Sequence, residues 1–136
     1  MKTWIVIIGV LAASGCVSVI DLVVKDYAAV ADRIELGQSV DHVLQILEPT
    51  QVALPAVTRK QPDRYIKEGE QVLIYFARSG NQLDGLTTDD EFTPYVFVDG
   101  TLKAIGWATL GGPRTQGQAA PETHIHVTQP YYGRRW

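Results

Sequence analysis

Three residues with the chemistry of metal ligands alternate near the end of the chain: Glu122, His124 and His126. Residues two apart on a strand point to the same side, so a strand would present these three side chains together. Zinc accepts carboxylate and imidazole ligands. A metal site also needs outer-shell groups that orient its ligands, and a tail rich in Gly, Pro and Gln offers few. We therefore expect solvated polar side chains here, with no metal and no cofactor.

Four carboxylates fall in one predicted loop: Asp84, Asp89, Asp90 and Glu91. Paired carboxylates can perform acid–base chemistry or hold Ca²⁺, but the spacing lacks the alternating pattern of an EF-hand loop. We expect a solvated acidic loop. His42 is a further candidate for catalysis, yet no Ser or Cys in a recognisable motif accompanies it. No catalytic residue is predicted, and the protein is not expected to be an enzyme.

Cys16 is the only cysteine in the 136 residues, so the chain can form neither an internal disulfide nor a cysteine-rich zinc site. Residues 4–13 have the composition of the apolar core of an export signal, and Ser14 and Gly15 are the small residues that a signal peptidase requires. This ending is similar to the bacterial lipoprotein signal, whose invariant cysteine becomes the lipidated first residue. The resemblance implies a signal peptide over 1–15 and an acylated Cys16, although Ala13 stands where leucine is usual.

An uncleaved membrane anchor is the alternative to lipidation. Residues 3–20 form an uncharged stretch of 18 residues, which is at the lower limit for crossing a bilayer. Position 17 holds valine rather than aspartate, which by analogy with proteobacterial sorting favours the outer membrane, with the domain on its periplasmic face. An uncleaved anchor would instead hold the protein in the inner membrane by a single span. Either way, we expect the rest of the chain to work outside the cytoplasm at a membrane surface.

The last residues of the chain combine aromatic and basic side chains. Such residues are enriched where proteins meet partners, and they also suit the headgroup level of a membrane. An equal alternative is that this end of the chain is disordered and that its aromatic and basic residues have no binding role. The candidate partner-binding residues are Tyr131, Tyr132, Arg134, Arg135 and Trp136.

The overall composition excludes a surface built for nucleic acid. The net charge is −3, and no basic stripe occurs along the chain. A chain of 136 residues with 46% hydrophobic and 20% charged residues is typical of one small globular domain. The partner that we expect from the cysteine is membrane lipid, through its acyl chains.

Apolar spacing predicts two helices after the cysteine. Apolar residues recur at helical intervals over 20–34, and a second helix is predicted over 39–47. Ser39 is a suitable N-cap for the second helix, and Pro49 should block its continuation. Gly37 lies in the turn between the two, so the pair should form a helical hairpin.

Residues 49–69 hold three prolines among mixed polar residues and predict an irregular connection, with room for a short strand over 64–67. The segments that follow predict an antiparallel sheet. Residues 70–78, EQVLIYFAR, are rich in β-branched and aromatic residues and predict a strand. Further on, Asp99-Gly100 separates two strand-like runs and suits a type I′ hairpin turn. That turn pairs Phe97 with Leu102 and Tyr95 with Ala104. It places Val96, Ile105 and Trp107 on the opposite face, where we expect a cover from the tail or a partner.

The segment IELGQSVDHVLQILEP and the hairpin VFVDGTLKAIGW resemble the SmpA/OmlA (BamE-like) family of small bacterial outer-membrane lipoproteins. Gly37, Ser39, Val43 and Leu47 match the family pattern, whereas Glu48 replaces a glycine and the proline comes one residue early. The likeness covers roughly residues 25–108. It implies an α+β fold in which a helical hairpin packs on a three-stranded antiparallel sheet. The domain would span 16–110, followed by a flexible tail over 111–136 in which residues 123–128 could add an edge strand.

The same resemblance implies a function in the cell envelope. The expected role is a lipid-anchored, periplasm-facing binding or scaffold lipoprotein that supports assembly of outer-membrane or envelope proteins. An inhibitor or ligand-binding lipoprotein that acts on an envelope enzyme is the alternative, since a duplicated form of the fold occurs in a β-lactamase inhibitor. A single-span anchored protein of another role is the third interpretation.

Overall fold

The computed structural model describes residues 17–113. Six sequence predictions therefore lie wholly or mostly outside the described residues. These are the signal peptide over 1–15, the lipidated Cys16, the flexible tail over 111–136, its edge strand over 123–128, the alternating Glu122, His124 and His126, and the proposed partner-binding residues at the end of the tail. The described residues include 17–110 of the predicted α+β domain.

Two helices are followed by four strands in a single antiparallel sheet, so the α+β class is confirmed. Each strand lies next to its neighbours in sequence, in the order β1-β2-β3-β4. The elements are α1 (Val19–Val30), α2 (Val40–Gln51), β1 (Asp63–Lys67), β2 (Glu70–Arg78), β3 (Phe92–Val98) and β4 (Thr101–Ile105).

The predicted strand count of three is wrong, because β1 adds a fourth strand at the edge. Its sequence, DRYIK, has no apolar run and no clear alternation, so little in it distinguishes a strand from a polar connection. The turn into β2 also lacks a typical signature. Glu68 precedes Gly69, and both adopt positive φ, of 53° and 84°. Pairing with β2 over five residues, from Asp63↔Ile74 to Lys67↔Glu70, makes this segment a strand.

The first helix begins and packs as its apolar spacing predicts. The Ser18 side chain accepts a hydrogen bond from the Asp21 backbone N–H at 3.1 Å, which caps the first turn. Val23 is buried against the rest of the domain. The helix ends at Val30 and passes into a 3₁₀ turn over Ala31–Arg33.

The second helix is longer than predicted because Pro49 lies inside it. Ser39 is confirmed as the N-cap and accepts a hydrogen bond from the His42 N–H at 3.3 Å. Beyond the proline, Thr50 and Gln51 are buried, and the Thr50 hydroxyl donates to the Leu47 carbonyl at 2.7 Å. These buried contacts hold the last turn in place even though a proline cannot donate to the carbonyl four residues earlier.

The β3–β4 hairpin has the predicted turn but a shifted register. Asp99 and Gly100 have φ of 47° and 79°, and Phe97 pairs with Leu102 as expected. An irregularity between Val96 and Phe97 then shifts the ladder, so Val96 pairs with Ala104 and Tyr95 pairs with Ile105. The predicted Tyr95–Ala104 pair is therefore wrong, because one extra residue on β4 exchanges the faces of everything after it.

The sheet has an apolar cluster on each face. The helices pack on one face through Ile34, Val43, Ile46, Leu47, Tyr75, Ala77, Tyr95, Phe97 and Leu102. The opposite face buries Val72, Ile74, Phe76, Phe92 and Val96, with Tyr65, Val98, Ala104, Trp107 and Leu110 packed against them. Trp107 stacks on Phe76, with ring centroids 5.7 Å apart, and its indole N–H donates to the Phe92 carbonyl at 2.8 Å.

Candidate functional site

The strongest concentration of polar chemistry in residues 17–113 lies where α2 ends against β2. Gln51, in the last turn of α2, is buried. Its side-chain oxygen accepts from the Arg78 backbone N–H at 2.7 Å, and its amide nitrogen donates to the Arg78 carbonyl at 3.3 Å. A single glutamine side chain therefore satisfies both backbone groups of the residue that ends β2.

Arg78 and Glu91 form a buried ion pair beside this contact. Arg78 is 1% exposed and Glu91 is 0% exposed, and the guanidinium donates to the carboxylate at 2.8 Å. The other guanidinium nitrogens donate to the Thr58 carbonyl at 2.8 Å and the Gly80 carbonyl at 3.3 Å. The expectation that Glu91 is a solvated loop carboxylate is wrong.

Glu91 also organises the long loop between β2 and β3. Its carboxylate accepts from the backbone N–H groups of Gln82, at 2.9 Å, and Thr88, at 2.8 Å. Its backbone carbonyl accepts from Ser79 and Gly80, at 2.9 and 3.0 Å. The side chain and backbone of one buried residue therefore hold together the two ends of a loop whose sequence is polar and irregular.

A cleft of about 240 Å³ opens beside this network. Arg59 donates to the Gln51 carbonyl, while its buried Nε has no hydrogen-bond partner. The Lys60 ammonium lies 2.9 Å from the Asp89 carboxylate and 4.8 Å from the centre of the Phe76 ring. The residues that line the cleft are Glu48, Gln51, Leu54, Arg59, Lys60, Gln61, Pro62, Tyr75, Phe76 and Phe92.

The lining of the cleft combines charged, amide and aromatic side chains. Burial, and then the neighbouring Glu48 carboxylate, raises the pKa of the Tyr75 phenol well above its ordinary value, so the phenol stays neutral. None of the lining residues is Ser, Cys or His. The volume of the cleft is below the usual range for sites that hold drug-sized ligands, and it suits one side chain or a small ion.

A second feature is a set of exposed apolar side chains at the start of α1. Val17 is 64% exposed, Val19 46% and Leu22 49%, whereas Val23, one turn after Val19, is buried. The loop between β2 and β3 is tied to this end of the helix, because the Asn81 amide donates to the Asp21 carboxylate at 2.8 Å. That hydrogen bond, followed by one from Ser18, lowers the pKa of Asp21.

The loop adds two more exposed leucines near the same end. Leu83 is 94% exposed and Leu86 is 46% exposed. Leu83 follows Asn81 by only two residues, so it lies close to the anchoring point on α1. The end of the domain nearest to Cys16 in sequence therefore carries apolar groups that the domain itself does not cover.

The other predicted site residues in the described range are separate from the cleft. His42 is exposed on α2, and Asp84 and Asp90 are exposed in the loop. No cluster of three His, Cys, Asp or Glu suited to a metal occurs within residues 17–113. Over the same range, no helix is both long and apolar enough to cross a membrane.

The sequence did not predict that Arg78 is buried, and it predicted a solvated Glu91 where the structure has a buried ion pair. Arg78 ends an apolar strand and Glu91 ends a run of acidic residues, so neither stands out alone. The Thr88-x-x-Glu91 spacing was an available signal, because the structure forms a capping box there. The hydrogen bonds that hold the pair come from residues distant in sequence or in the loop: Gln51 on α2 bonds the backbone of Arg78, and the loop N–H groups of Gln82 and Thr88 bond the Glu91 carboxylate.

No protein-family model, curated protein or solved structure matches this chain.

Proposed function

We propose that this protein is a lipid-anchored binding module that works at the surface of an envelope membrane, facing the periplasm. One observation carries the proposal. The helix closest to Cys16 begins at Val19 and leaves Val17, Val19 and Leu22 exposed, directly after the predicted lipidation site. Burying apolar surface at a bilayer releases about 25 cal/mol per Å². Acyl chains on Cys16 would hold these side chains against the membrane.

The lining of the cleft contains no Ser, Cys or His, and the proposal assigns binding rather than a reaction to it. The proposed role is support of outer-membrane or envelope protein assembly, as the resemblance to the SmpA/OmlA family implies. The candidate contact surfaces are the described cleft and the tail residues 131–136. Both faces of the central strands are buried, so a partner would contact edges, loops and the tail rather than an open sheet face.

The first experiment measures the intact mass of the membrane-extracted protein, as the wild type and as Cys16→Ser. We expect the wild type to begin at residue 16 and to carry acyl chains, and the variant to stay unprocessed, because the lipoprotein signal attaches its lipid to a cysteine thiol that serine lacks. Full-length mass in both proteins would contradict lipidation and favour an uncleaved anchor.

Cross-linking of the lipidated protein in intact cells then separates the two binding roles. Assembly support predicts cross-links to outer-membrane or barrel-assembly proteins. The alternative role, as an inhibitor or ligand-binding lipoprotein, predicts cross-links to a soluble envelope hydrolase. A variant that lacks residues 131–136 tests whether the tail makes the contact, since these residues lie outside the described domain.

A further inference from the structure

The two edges of the sheet differ in how their backbone groups are satisfied. At the β4 edge, the segment before α2 pairs with the strand: the Gly37 N–H donates to the Leu102 carbonyl and the Leu102 N–H donates to the Gln38 carbonyl, both at 2.8 Å. The Val40 N–H donates to the Gly100 carbonyl at 2.9 Å. This edge is therefore covered. No equivalent segment within residues 17–113 bonds to the outer side of β1.

The register of the sheet identifies which groups of β1 face outward. Gln71 exchanges hydrogen bonds with Asp99, so its backbone N–H and carbonyl point away from β1. Its partner Ile66 consequently belongs to a non-hydrogen-bonded pair, and the backbone groups of Ile66 point to the open side. Because this pattern alternates along an antiparallel pair, Arg64 also directs its N–H and carbonyl outward.

The side chains of β1 are exposed as well as its backbone. Only Tyr65 is half-buried, and Ile66 is 61% exposed. On the helix side, Ile66 borders a groove of about 390 Å³ that Val40 and Leu73 also line. On the other side, Asp63, Tyr65 and Lys67 share one face, with opposite charges at the two ends of the strand.

We propose that β1 pairs with β1 of a second copy, in an antiparallel, two-fold symmetric contact centred on Tyr65. Arg64 of each copy then lies opposite Ile66 of the other, so the outward backbone groups form four hydrogen bonds. Asp63 of each copy lies opposite Lys67 of the other, which gives two symmetric ion pairs. The two four-stranded sheets become one continuous sheet of eight strands.

Charge and backbone geometry together select this register. Shifting the two-fold centre to Arg64 would set two guanidinium groups directly opposite each other and bring Pro62, which has no N–H, into the ladder. Shifting the two-fold centre to Ile66 would place Lys67 opposite Tyr65, so the ion pairs between Asp63 and Lys67 would be lost. Within one copy Lys67 is opposite Glu70, so the paired sheets carry a row of alternating charges.

The first test uses disulfide trapping of the full-length protein in its membrane. In the proposed pairing, Tyr65 lies opposite itself in a non-hydrogen-bonded pair with Cα atoms about 4.5 Å apart, within the range of a disulfide. We expect oxidised Tyr65→Cys to form covalent dimers. Lys67→Cys is the matched control, because its copies would lie roughly 13 Å apart along the strands and stay monomeric.

Trapping of both variants to the same extent, or of neither, would overturn the proposal. The wild type, which carries only Cys16, reports any background dimer through that residue. A dimer from Lys67→Cys without one from Tyr65→Cys would likewise contradict the register.

The second test exchanges the charges in the Tyr65→Cys background. Asp63→Lys or Lys67→Asp alone sets like charges opposite each other at both ends, and we expect trapping to slow about fivefold. The double variant Asp63→Lys/Lys67→Asp restores both ion pairs and should recover the original rate. Lys67→Asp also places a second acidic side chain opposite Glu70 within one copy, and the double variant keeps this repulsion. A recovered trapping rate in the double variant therefore reports the contact between copies, and an unrecovered rate would refute the ion pairs.

Discussion

At the scale of single residues, Arg78 and Glu91 decide the structure of one end of the domain. Removing two charges from water is costly, and a buried ion pair is tolerated only when hydrogen bonds satisfy its remaining donors and acceptors. Here the guanidinium has two carbonyl acceptors besides the carboxylate, and the carboxylate accepts two backbone N–H groups of the loop. The pair therefore links the end of β2 with the loop and with Thr58.

Replacing Glu91 by alanine should destabilise the domain strongly. The change leaves the Arg78 charge buried without its partner and orphans the N–H groups of Gln82 and Thr88, so we expect a loss of about 3–5 kcal/mol in the free energy of unfolding. Asp84→Ala, which removes an exposed carboxylate from the same loop, should cost less than about 1 kcal/mol. Denaturant unfolding of both variants compares them. Equal losses would show that the buried pair has no special role.

At the scale of elements, α2 shows tertiary contacts overriding a local preference. Proline in a helix interior is about 3 kcal/mol less favourable than alanine. The helix nevertheless continues past Pro49, because Thr50 and Gln51 reach their buried partners only if the last turn is helical. The carbonyl of Gln45, which loses its donor, belongs to an exposed residue.

Pro49→Ala should therefore stabilise the protein. The substitution removes the strain of the ring and restores one helical hydrogen bond, while the more flexible unfolded chain offsets part of the gain. We expect an increase on the order of 1–2 kcal/mol in the free energy of unfolding. Gln45→Ala, one turn earlier on the exposed side, controls for the general helix preference of alanine and should change stability by less than about 0.5 kcal/mol. A loss of stability in Pro49→Ala would contradict this account.

At the scale of the whole molecule, tyrosines join the helical layer to the sheet. The hydroxyls of Tyr27 on α1 and Tyr95 on β3 are 2.8 Å apart, and Tyr95 is opposite Tyr75 on β2. Burial, followed by the hydrogen bond with Tyr27, raises the pKa of Tyr95 far above its ordinary value. Burial also raises the pKa of Tyr75. The contact between layers therefore depends on the neutral phenols of Tyr75 and Tyr95.

Stability should fall at alkaline pH because of these phenols. The unfolded chain releases their protons near pH 10, whereas the folded protein keeps them, so stability is present below about pH 10 and is lost as pH rises further. Each tyrosine contributes a slope of up to about 1.4 kcal/mol per pH unit. Denaturant unfolding between about pH 9 and pH 11 measures it. Tyr95→Phe should lower stability at neutral pH and reduce the alkaline slope; an unchanged slope would contradict the assignment.

Much of the architecture could be predicted where local physics and tertiary structure agree. The N-cap Ser39, the strand 70–78 and the Asp99-Gly100 turn were all predicted and are all observed. In each case the residue type itself restricts the backbone, through a capping hydroxyl, a β-branched run or a glycine at positive φ. The strand β1 was not predicted as part of the sheet, because its residues carry no such restriction.

The sequence by itself determined the class of the fold and the positions of the helices and the central strands, because these depend on periodicity and on residue type. Only the tertiary structure decided the bulge that moves Ala104 to the other face, the continuation of α2 beyond Pro49, and the burial of Glu91 with Arg78. These three features depend on contacts between residues far apart in the chain. At these positions the free energy of burial and hydrogen bonding outweighs the local backbone preference. That free energy depends on distant residues, so a short stretch of sequence does not predict it.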